Sequence, residues 1–586
     1  MKQKLLIPGL LMAAALGLNA QNANVQIIHN CPIPSADSVD IYLFDGTNWS
    51  QSAAVNNLKF RQATPFISLP AGNANLRVAI APRTANPAIG DTLTSFAVPQ
   101  LANNTDYAAI AAGDDLTPGN PNSFNVFFGG AAQASTSGNF GITIFHGSTD
   151  APGVGVFTSD NALQPVSANL TFGNFTTTAN ISATDKSVLL TGGNDFNTMI
   201  AGFGAPLATL NAGGLGGVVF ASGYLNSANG PAFGLFVALP DGTVLPLPAE
   251  DLARVQIIHN CPDPAAAAVD IYIYAGGSLA TKLEDVAFRT ATPYLIVPAT
   301  TFRVVVAGPA STDTSTAVFA ANLPLAVNTT SQVIANGVID LSGNRFDHSK
   351  TVNGAGNIGF TFEVLGSARI AAPNANTASV YLYHQAPDAP AVDVVSVATT
   401  LVLAPNLTYG TGAGYLDLPS FAGLTSEIDL NAAGTTTTVK RYQVPLGNLA
   451  GVTATVFASG FLTPNDENVT GLPDFGAWVA LPTGGNMIPL QESPLSVTSI
   501  TSATSGVVAF PIPAQEVLNI QFNSNVAEMV KMEIMDINGR VLSQLGEVSV
   551  SQGANNLQAA IQHLSSGQYL ARLTGSQINV VIRFVK

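Results

Sequence analysis

Four of the six histidines in this 586-residue chain recur at near-regular spacing, at positions 29, 146, 259 and 384, which puts successive copies 117, 113 and 125 residues apart. Each ends or follows a short run of β-branched and aromatic residues. In three copies an aspartate stands further along: Asp40 and Asp270 lie 11 residues after His29 and His259, and Asp393 lies 9 after His384. Imidazole beside carboxylate suits general acid–base chemistry, because histidine titrates near neutral pH. The pair also suits a structural task. A histidine ending one strand and an aspartate within the next can bond each other or the loop backbone, fastening a proline-rich connection that has few N–H donors. Recurrence in four copies favours the clasp over four active sites, and one His plus one Asp falls short of the three or four ligands of a stable metal site. No catalytic residue, metal site or cofactor is therefore expected.

Other chemistry-bearing residues are sparse. Asn465-Asp466-Glu467-Asn468, with Asp474 nearby, offers oxygen ligands for Ca²⁺ but lacks EF-hand spacing, and its counterpart Asn226-Ser227-Ala228-Asn229 has no carboxylate, so a solvated loop is the alternative. Asp114-Asp115 reads as a turn. The chain has no phosphate-binding G-x-x-x-x-G-K-S/T loop, no H-E-x-x-H, no G-x-S-x-G and no C-x-x-C. Its two cysteines, Cys31 and Cys261, occupy matching His-Asn-Cys-Pro tetrapeptides. Equivalent positions of separate repeats rarely approach within the roughly 7 Å a disulfide requires, so they read as two small, partly buried thiols. Trp49, beside the Asp45-Gly46 turn, and Trp478 are aromatic rings suited to a sugar or protein partner, although the Val/Ala-rich strand of Trp478 favours a core role for it.

The elements that must hold these residues come from internal similarity. Val25-Gln26-Ile27-Ile28-His29-Asn30-Cys31-Pro32 returns as residues 255–262, and Val39-Asp40-Ile41-Tyr42 as residues 269–272. Weaker copies start at Ile144-Phe145-His146 and Leu382-Tyr383-His384. Repeats one and three also share Phe60-Arg61-Gln62-Ala63-Thr64-Pro65 and Phe288-Arg289-Thr290-Ala291-Thr292-Pro293. Repeats two and four share Val219-Phe220-Ala221-Ser222-Gly223 and Val456-Phe457-Ala458-Ser459-Gly460, then Val237-Ala238-Leu239-Pro240 and Val479-Ala480-Leu481-Pro482. The order A, B, A′, B′ implies duplication of a two-domain unit. The expected domains are 21–137, 138–250, 251–372 and 373–492, then a Ser/Thr-rich linker at 493–505 and a terminal unit at 506–586. In the third repeat, runs at 254–259, 269–274, 292–297, 302–307, 316–320 and 332–335 carry the β-branched and aromatic residues of strands, and no amphipathic helix of several turns competes. Six or seven strands in about 115 residues predict an all-β fold of tandem immunoglobulin-like β-sandwich domains.

The strand ending in His, the Pro-rich turn and the Val-Asp-Val that follows resemble a bacterial repeat family known as domain of unknown function 4397, over about residues 21–497. Repeat two departs from the pattern with Gly155 where the others have Asp40, Asp270 and Asp393. That family implies architecture more than activity. Residues 507–586 resemble the C-terminal sorting domain of the type IX secretion system of Bacteroidetes, with Pro511, Pro513, Gly539, Arg540, Gly567, Tyr569 and terminal Lys586 on the pattern and Ile512 where Asn is common. Asn538-Gly539 suits a two-residue hairpin turn. The resemblance implies export, crossing of the outer membrane, removal of the tail near the linker, and release or surface attachment.

The amino terminus agrees with export. Lys2 and Lys4 precede an apolar stretch at 5–18, too short for a bilayer span of about 20 residues, and read as a secretory signal peptide cleaved between Ala20 and Gln21. Charged residues make up only 10% of the chain, and 21 Lys+Arg against 36 Asp+Glu give −15, which lacks the basic footprint of a nucleic-acid binder. The expectation is an extracellular or outer-membrane-surface scaffold, without catalysis or a membrane span, whose partners are the type IX machinery and an extracellular protein or glycan ligand. The alternative is an exported hydrolase or accessory subunit with a site between repeats.

Overall fold

Strands dominate because the apolar residues come in short β-branched and aromatic runs separated by Gly, Pro and Asn, too short for helices and suited to sheet faces. The computed structural model describes residues 21–82, 94–115, 120–131, 136–494, 504–537 and 540–586. The expected signal peptide at 1–20, the Asn538-Gly539 turn and residues 495–503 of the linker lie outside the described residues. The described chain forms two compact units, divided at Ser493.

In the first unit, repeat one pairs its histidine strand, Asn22–Asn30, in parallel with Asp106–Ala112, placing His29 opposite Ala111. A second sheet runs Val55–Lys59, Ser38–Phe44, Arg77–Pro82, Thr94–Ala97. Val25, Ile27, Ile41, Leu58, Val78 and Ile80 fill the space between the sheets. The plan recurs with parallel pairs Asn139–Phe145 with Gly216–Ser222, Leu252–His259 with Thr330–Asn336, and Thr377–Gln385 with Thr453–Ser459. A parallel pair cannot be closed by a hairpin, and the second sheet of each sandwich supplies the crossover between its two strands. In repeat three the strand Ser278–Ala287 was not legible in the sequence. It is an edge strand whose side chains are exposed or half-exposed, with Lys282, Glu284 and Asp285 among them, so no apolar run marks it. A short helix, Asp347–Asn353, follows the strands of this repeat.

The histidine strands are buried on both faces; every residue of Leu252–His259 is buried. One face meets the repeat's own core and the other meets the next repeat, which explains a near-continuous apolar run where alternation would mark a one-sided strand. Ile28 and Ile110 of repeat one pack with Phe145, Val218 and Phe220 of repeat two, and Ile258 and Ile334 of repeat three with Phe457 and Ala480 of repeat four. A buried aromatic such as Phe220 or Phe457 contributes about 1.5–3 kcal/mol. A few of them hold the sheets together, and polar contacts then decide which faces meet.

Those polar contacts explain the two sets of shared motifs, which are the two sides of one interface formed twice. Arg61 donates from Nε to Ser222 Oγ (2.9 Å) and from Nη2 to the carbonyls of Ser222 (3.2 Å) and Ala232 (2.6 Å). Arg289 does the same to Ser459 Oγ (3.1 Å) and the carbonyls of Ser459 (3.0 Å) and Asp474 (2.9 Å). Gln26 and Gln256 reach the carbonyls of Leu239 and Leu481 at 2.7 and 2.8 Å, inside the second shared motif of repeats two and four. Both arginines have positive φ, 61° and 62°, and their backbone N–H groups bond the carbonyls of His29 and His259 at 2.8 Å. Gly223 and Gly460 sit under the guanidinium groups. A Cβ on Gly460 would lie 2.3 Å from the Asp474 carbonyl and 2.7 Å from Arg289 Nη2, at a φ of +88°. Between repeats two and three, Asn197 bonds the backbone of Ile370 and Ala371 at 2.9 and 3.1 Å.

The second unit is a smaller sandwich. Thr504–Phe510, Val517–Ser524 and Gly553–Ala560 face Val541–Val550, Glu528–Asp536, Gln568–Thr574 and Asn579–Val585 across a core that includes Leu518, Ile534, Leu573 and Phe584. Lys586 closes it: its Nζ donates to the carbonyls of Ile561, Gln562 and Leu564 at 2.8, 2.9 and 2.6 Å.

Because both the positive φ and the close approach forbid a side chain, Gly460→Ala should destabilise the folded protein by at least about 2 kcal/mol. Denaturant unfolding of the variant checks this; an unchanged midpoint would show that the clamp yields without cost.

Candidate functional site

The four histidines sit at the ends of the parallel strands, where each meets a proline-rich loop. His29 Nε2 donates to the Ala36 carbonyl (2.6 Å), His259 to Ala266 (2.7 Å), His146 to Pro152 (3.0 Å) and His384 to Pro390 (3.1 Å). With Nε2 protonated, Nδ1 is the acceptor, and in repeats one and three the backbone N–H of Cys31 and Cys261 approaches it at 3.4 Å. All four rings are buried. Burial pushes His29 and His259 down to about 4 and lowers His146 and His384 as well. They are neutral loop clasps, the structural alternative drawn from their spacing.

The aspartates do a different job. Asp40 accepts from the N–H of Asn57 (2.7 Å), Asp270 from that of Asp285 (2.9 Å), and Asp393 from that of Asn406 (2.6 Å). Asn57, Asp285 and Asn406 have φ of 55°, 50° and 47°, and each strand pair shifts register opposite the aspartate. The carboxylate therefore pins a left-handed residue in a β-bulge. Burial would raise Asp270, but the donations from Asp285, Ser311 and Lys282 outweigh it and bring the group to about 2. Bonds from Asn406 and Gly434 lower Asp393. In repeat two a Cβ on Gly155 would lie 2.4 Å from Thr191 Oγ1, so a threonine occupies the space. Sequence spacing put His and Asp in neighbouring strands, but each spends its polar atoms on its own loop and no His–Asp dyad forms.

Several of the remaining candidates are also engaged. Asp150 and Asp388, in the turn after the histidine, each accept two backbone N–H bonds from the loop beyond the Phe-Ala-Ser-Gly strand, from Leu225 and Asn226 and from Leu462 and Thr463. Glu467 caps the N-terminus of the Asp347–Asn353 helix, accepting from the N–H (2.7 Å) and hydroxyl of Ser349. Asn468 bonds the Asn344 carbonyl at 2.6 Å. This acidic loop thus fastens repeat four to repeat three. Among the described residues no three or more His, Cys, Asp or Glu side chains converge as a metal site. Cys31 and Cys261 are fully buried free thiols, Cys31 pushed up to about 12 by burial. Asp114 takes a hydrogen bond from Thr149.

Of the two tryptophans, Trp49 packs on Phe44 with ring centroids 5.2 Å apart. Trp478 belongs to the interface between repeats three and four, not to a sandwich core, and the Arg289 guanidinium lies 4.0 Å from its ring centroid. It borders an open groove of about 410 Å³ together with Arg289, Tyr442, Phe475, Pro489 and Glu492. Sequence reading singled out Trp478 and missed the rest. The available signal was the difference between the duplicates, since Phe236, Phe203 and Ala249 hold the places of Trp478, Tyr442 and Glu492 in the first pair. The sheet partners establish this: Phe236 faces Pro246 as Trp478 faces Pro489, and Phe203 bridges Ala249 as Tyr442 faces Glu492.

The neutral histidines predict a pH response. A folded pKa near 4 against about 6.5 unfolded means the unfolded chain binds more protons between those values, so stability falls as pH drops through that window. Thermal unfolding of His259→Gln, which keeps an N–H donor, should show a shallower loss from pH 6.5 to 4 than the parent. Equal slopes would contradict the assignment.

Comparison with known proteins agrees with this architecture. Residues 23–157 and 253–362 match the family described as domain of unknown function (DUF4397), covering repeats one and three and the first strands of repeat two. Residues 508–586 match the secretion system C-terminal sorting domain. No curated protein matches the chain. Among solved structures, the product complex of SpuA, a multi-modular glycogen-degrading pneumococcal virulence factor, shares 11% identity over 75% of this chain and 37% of its own, with a TM-score of 0.15. The Bacillus anthracis TIE protein shares 7% over 79% and 67%, with a TM-score of 0.11. Ligand-free PulA from Klebsiella pneumoniae shares 13% over 57% and 31%, with a TM-score of 0.11. Scores this low tie the chain to none of them. Residues 23–157 and 253–362, the A repeats with the first strands of repeat two, thus match the DUF4397 family, and the chain ends in a secretion system C-terminal sorting domain of the type IX kind.

Proposed function

We propose that this is a non-catalytic interaction scaffold, secreted or held at the cell surface. Export rests on the sorting domain, which implies the type IX machinery as partner and a secreted or surface location. No described helix is long and apolar enough to cross a membrane. The observation that carries the non-catalytic reading is the fate of the repeat histidines and aspartates: the histidines are buried, and both kinds of group are bonded to backbone N–H or carbonyl groups and not to each other. Pairwise clamping of repeats gives a rigid body suited to presenting a surface to an extracellular protein or glycan.

One observation favours the alternative of an exported hydrolase or accessory subunit with a site between repeats. Glu363, at the junction of repeats three and four, accepts from Asn336 and Gln385 at 2.9 Å each, and burial raises its carboxyl above the usual range, as a general acid requires. Its bonds to Asn336 and Gln385 give it a structural task at the junction, so the scaffold reading is preferred.

Two outcomes are expected. Deleting residues 506–586 traps the protein in the periplasm; normal secretion of the truncated form contradicts export by the tail. The purified secreted protein shows no turnover across a broad hydrolase panel while adhering to cells, matrix or polymer in adhesion assays. Turnover that is lost on Glu363→Gln or His384→Ala reverses the order of the two readings.

A further inference from the structure

The two A–B pairs share a backbone plan and the arginine clamp, yet their interfaces differ in chemistry. In the first pair the arginine stacks on Phe236, 4.3 Å from the ring centroid, and in the second on Trp478. Phe203 becomes Tyr442 and Ala249 becomes Glu492; Tyr442 is buried in the core of repeat four with its hydroxyl away from solvent, so the changes that reach the groove surface are Trp478 and Glu492. The groove floor stays apolar through Phe475 and Pro489. Gly476 allows the indole its place, since a Cβ there would lie 2.7 Å from Trp478 Nε1.

This combination selects a class of ligand. Aromatic faces receive the C–H faces of a pyranose ring, while the carboxylate and the indole N–H serve hydroxyl groups in plane. Two of the charges bordering the groove are already engaged. The Nε and Nη2 groups of Arg289 bond Ser459 and the Asp474 carbonyl, and Glu492 is paired with Lys440 at 3.0 Å. The exposed carboxylate of Asp474 also borders the groove, so an anionic ligand meets two carboxylates there, whereas a neutral ring meets no like charge and can set its hydroxyls against them. At about 410 Å³ the groove is in the range of small-ligand sites.

We propose that the groove bordered by Trp478 and Glu492 is a binding site for a neutral saccharide, presented by the second A–B pair only. The proposal rests on the interaction-scaffold reading and names a ligand class for it. Repeat pair one, with Phe236 at the equivalent place, serves as an internal control.

The test is affinity electrophoresis of the full-length secreted protein through gels containing soluble α-glucan, β-glucan, xylan or mannan, with polygalacturonate as an anionic comparison. At least one neutral polymer should retard the protein. Trp478→Ala should weaken retardation roughly tenfold or more, the scale of a central aromatic anchor. Glu492→Gln, which leaves the clamp intact, should weaken it as well, and Phe236→Ala should leave it unchanged. Thermal unfolding of each variant identifies any that fails to fold; if Trp478→Ala does, Glu492→Gln decides. No retardation by any neutral polymer, retardation by polygalacturonate alone, or equal retardation of parent and folded variants overturns the proposal. Adhesion to a protein-coated surface that survives Trp478→Ala would sink the groove while leaving the scaffold reading in place.

Discussion

The fold of the first unit depends on a guanidinium group held where a protein would ordinarily avoid one, between two sheets and, among the described residues, without a carboxylate bonded to it. Arg61 and Arg289 adopt left-handed backbone so that their side chains cross from one repeat to the next. Burial lowers both, Arg289 to about 10, which still leaves the group charged at neutral pH. A half-buried charge is compensated by hydrogen bonds, and here a serine hydroxyl, two carbonyls and an aromatic face supply the compensation. Lysine could not replace it, because a single ammonium cannot span the fork of acceptors that the planar group reaches. Much else follows from that geometry. The glycine of each Phe-Ala-Ser-Gly strand makes room for the fork, and the Arg backbone N–H ties the crossing to the end of the histidine strand.

Around this constant frame the two pairs have drifted apart in chemistry. In the first, Phe127, Phe145 and Phe172 form a cluster of rings with centroids 5.5 and 5.6 Å apart. In the second, the corresponding positions are Glu363, Tyr383 and Tyr409, joined through Asn336 and Gln385 into a polar network. Dispersion and area burial hold one junction, directional bonds the other, and both bring the same strands together. A junction made of directional bonds costs more to misalign, which favours a single register of the faces. The histidine and aspartate clasps belong to the frame and are repeated because every sandwich needs its loops fixed.

How much of this was legible in the sequence varies with the range of the interaction involved. The all-β class, the four copies and the sorting tail follow from local patterns: the runs ending at His29, His146, His259 and His384, and the terminal stretch to Lys586. The structural role of those histidines was also legible, since four identical active sites make little sense. The bulge-pinning role of Asp40, Asp270 and Asp393 was not, because the residue each one holds lies 13 to 17 positions away on another strand, with no composition signal of its own. Trp478 read as a core residue of its own strand because strand composition cannot reveal that a second sheet covers that face. Most instructive are the shared motifs. Phe-Arg-x-Ala-Thr-Pro and Phe-Ala-Ser-Gly were visible as labels that sorted the repeats into two kinds, yet nothing in one-dimensional spacing says that two labels 161 or 170 residues apart are halves of one contact.

Hydrogen exchange on the full secreted protein carrying Arg289→Lys tests the central claim, that the arginine fork makes each A–B pair one cooperative body, most directly. The account predicts that protection falls together in Leu252–His259 of repeat three and Thr453–Ser459 of repeat four, while Asn22–Asn30 and Gly216–Ser222 of the first pair keep theirs. Protection lost in repeat three alone, or unchanged throughout, would contradict it.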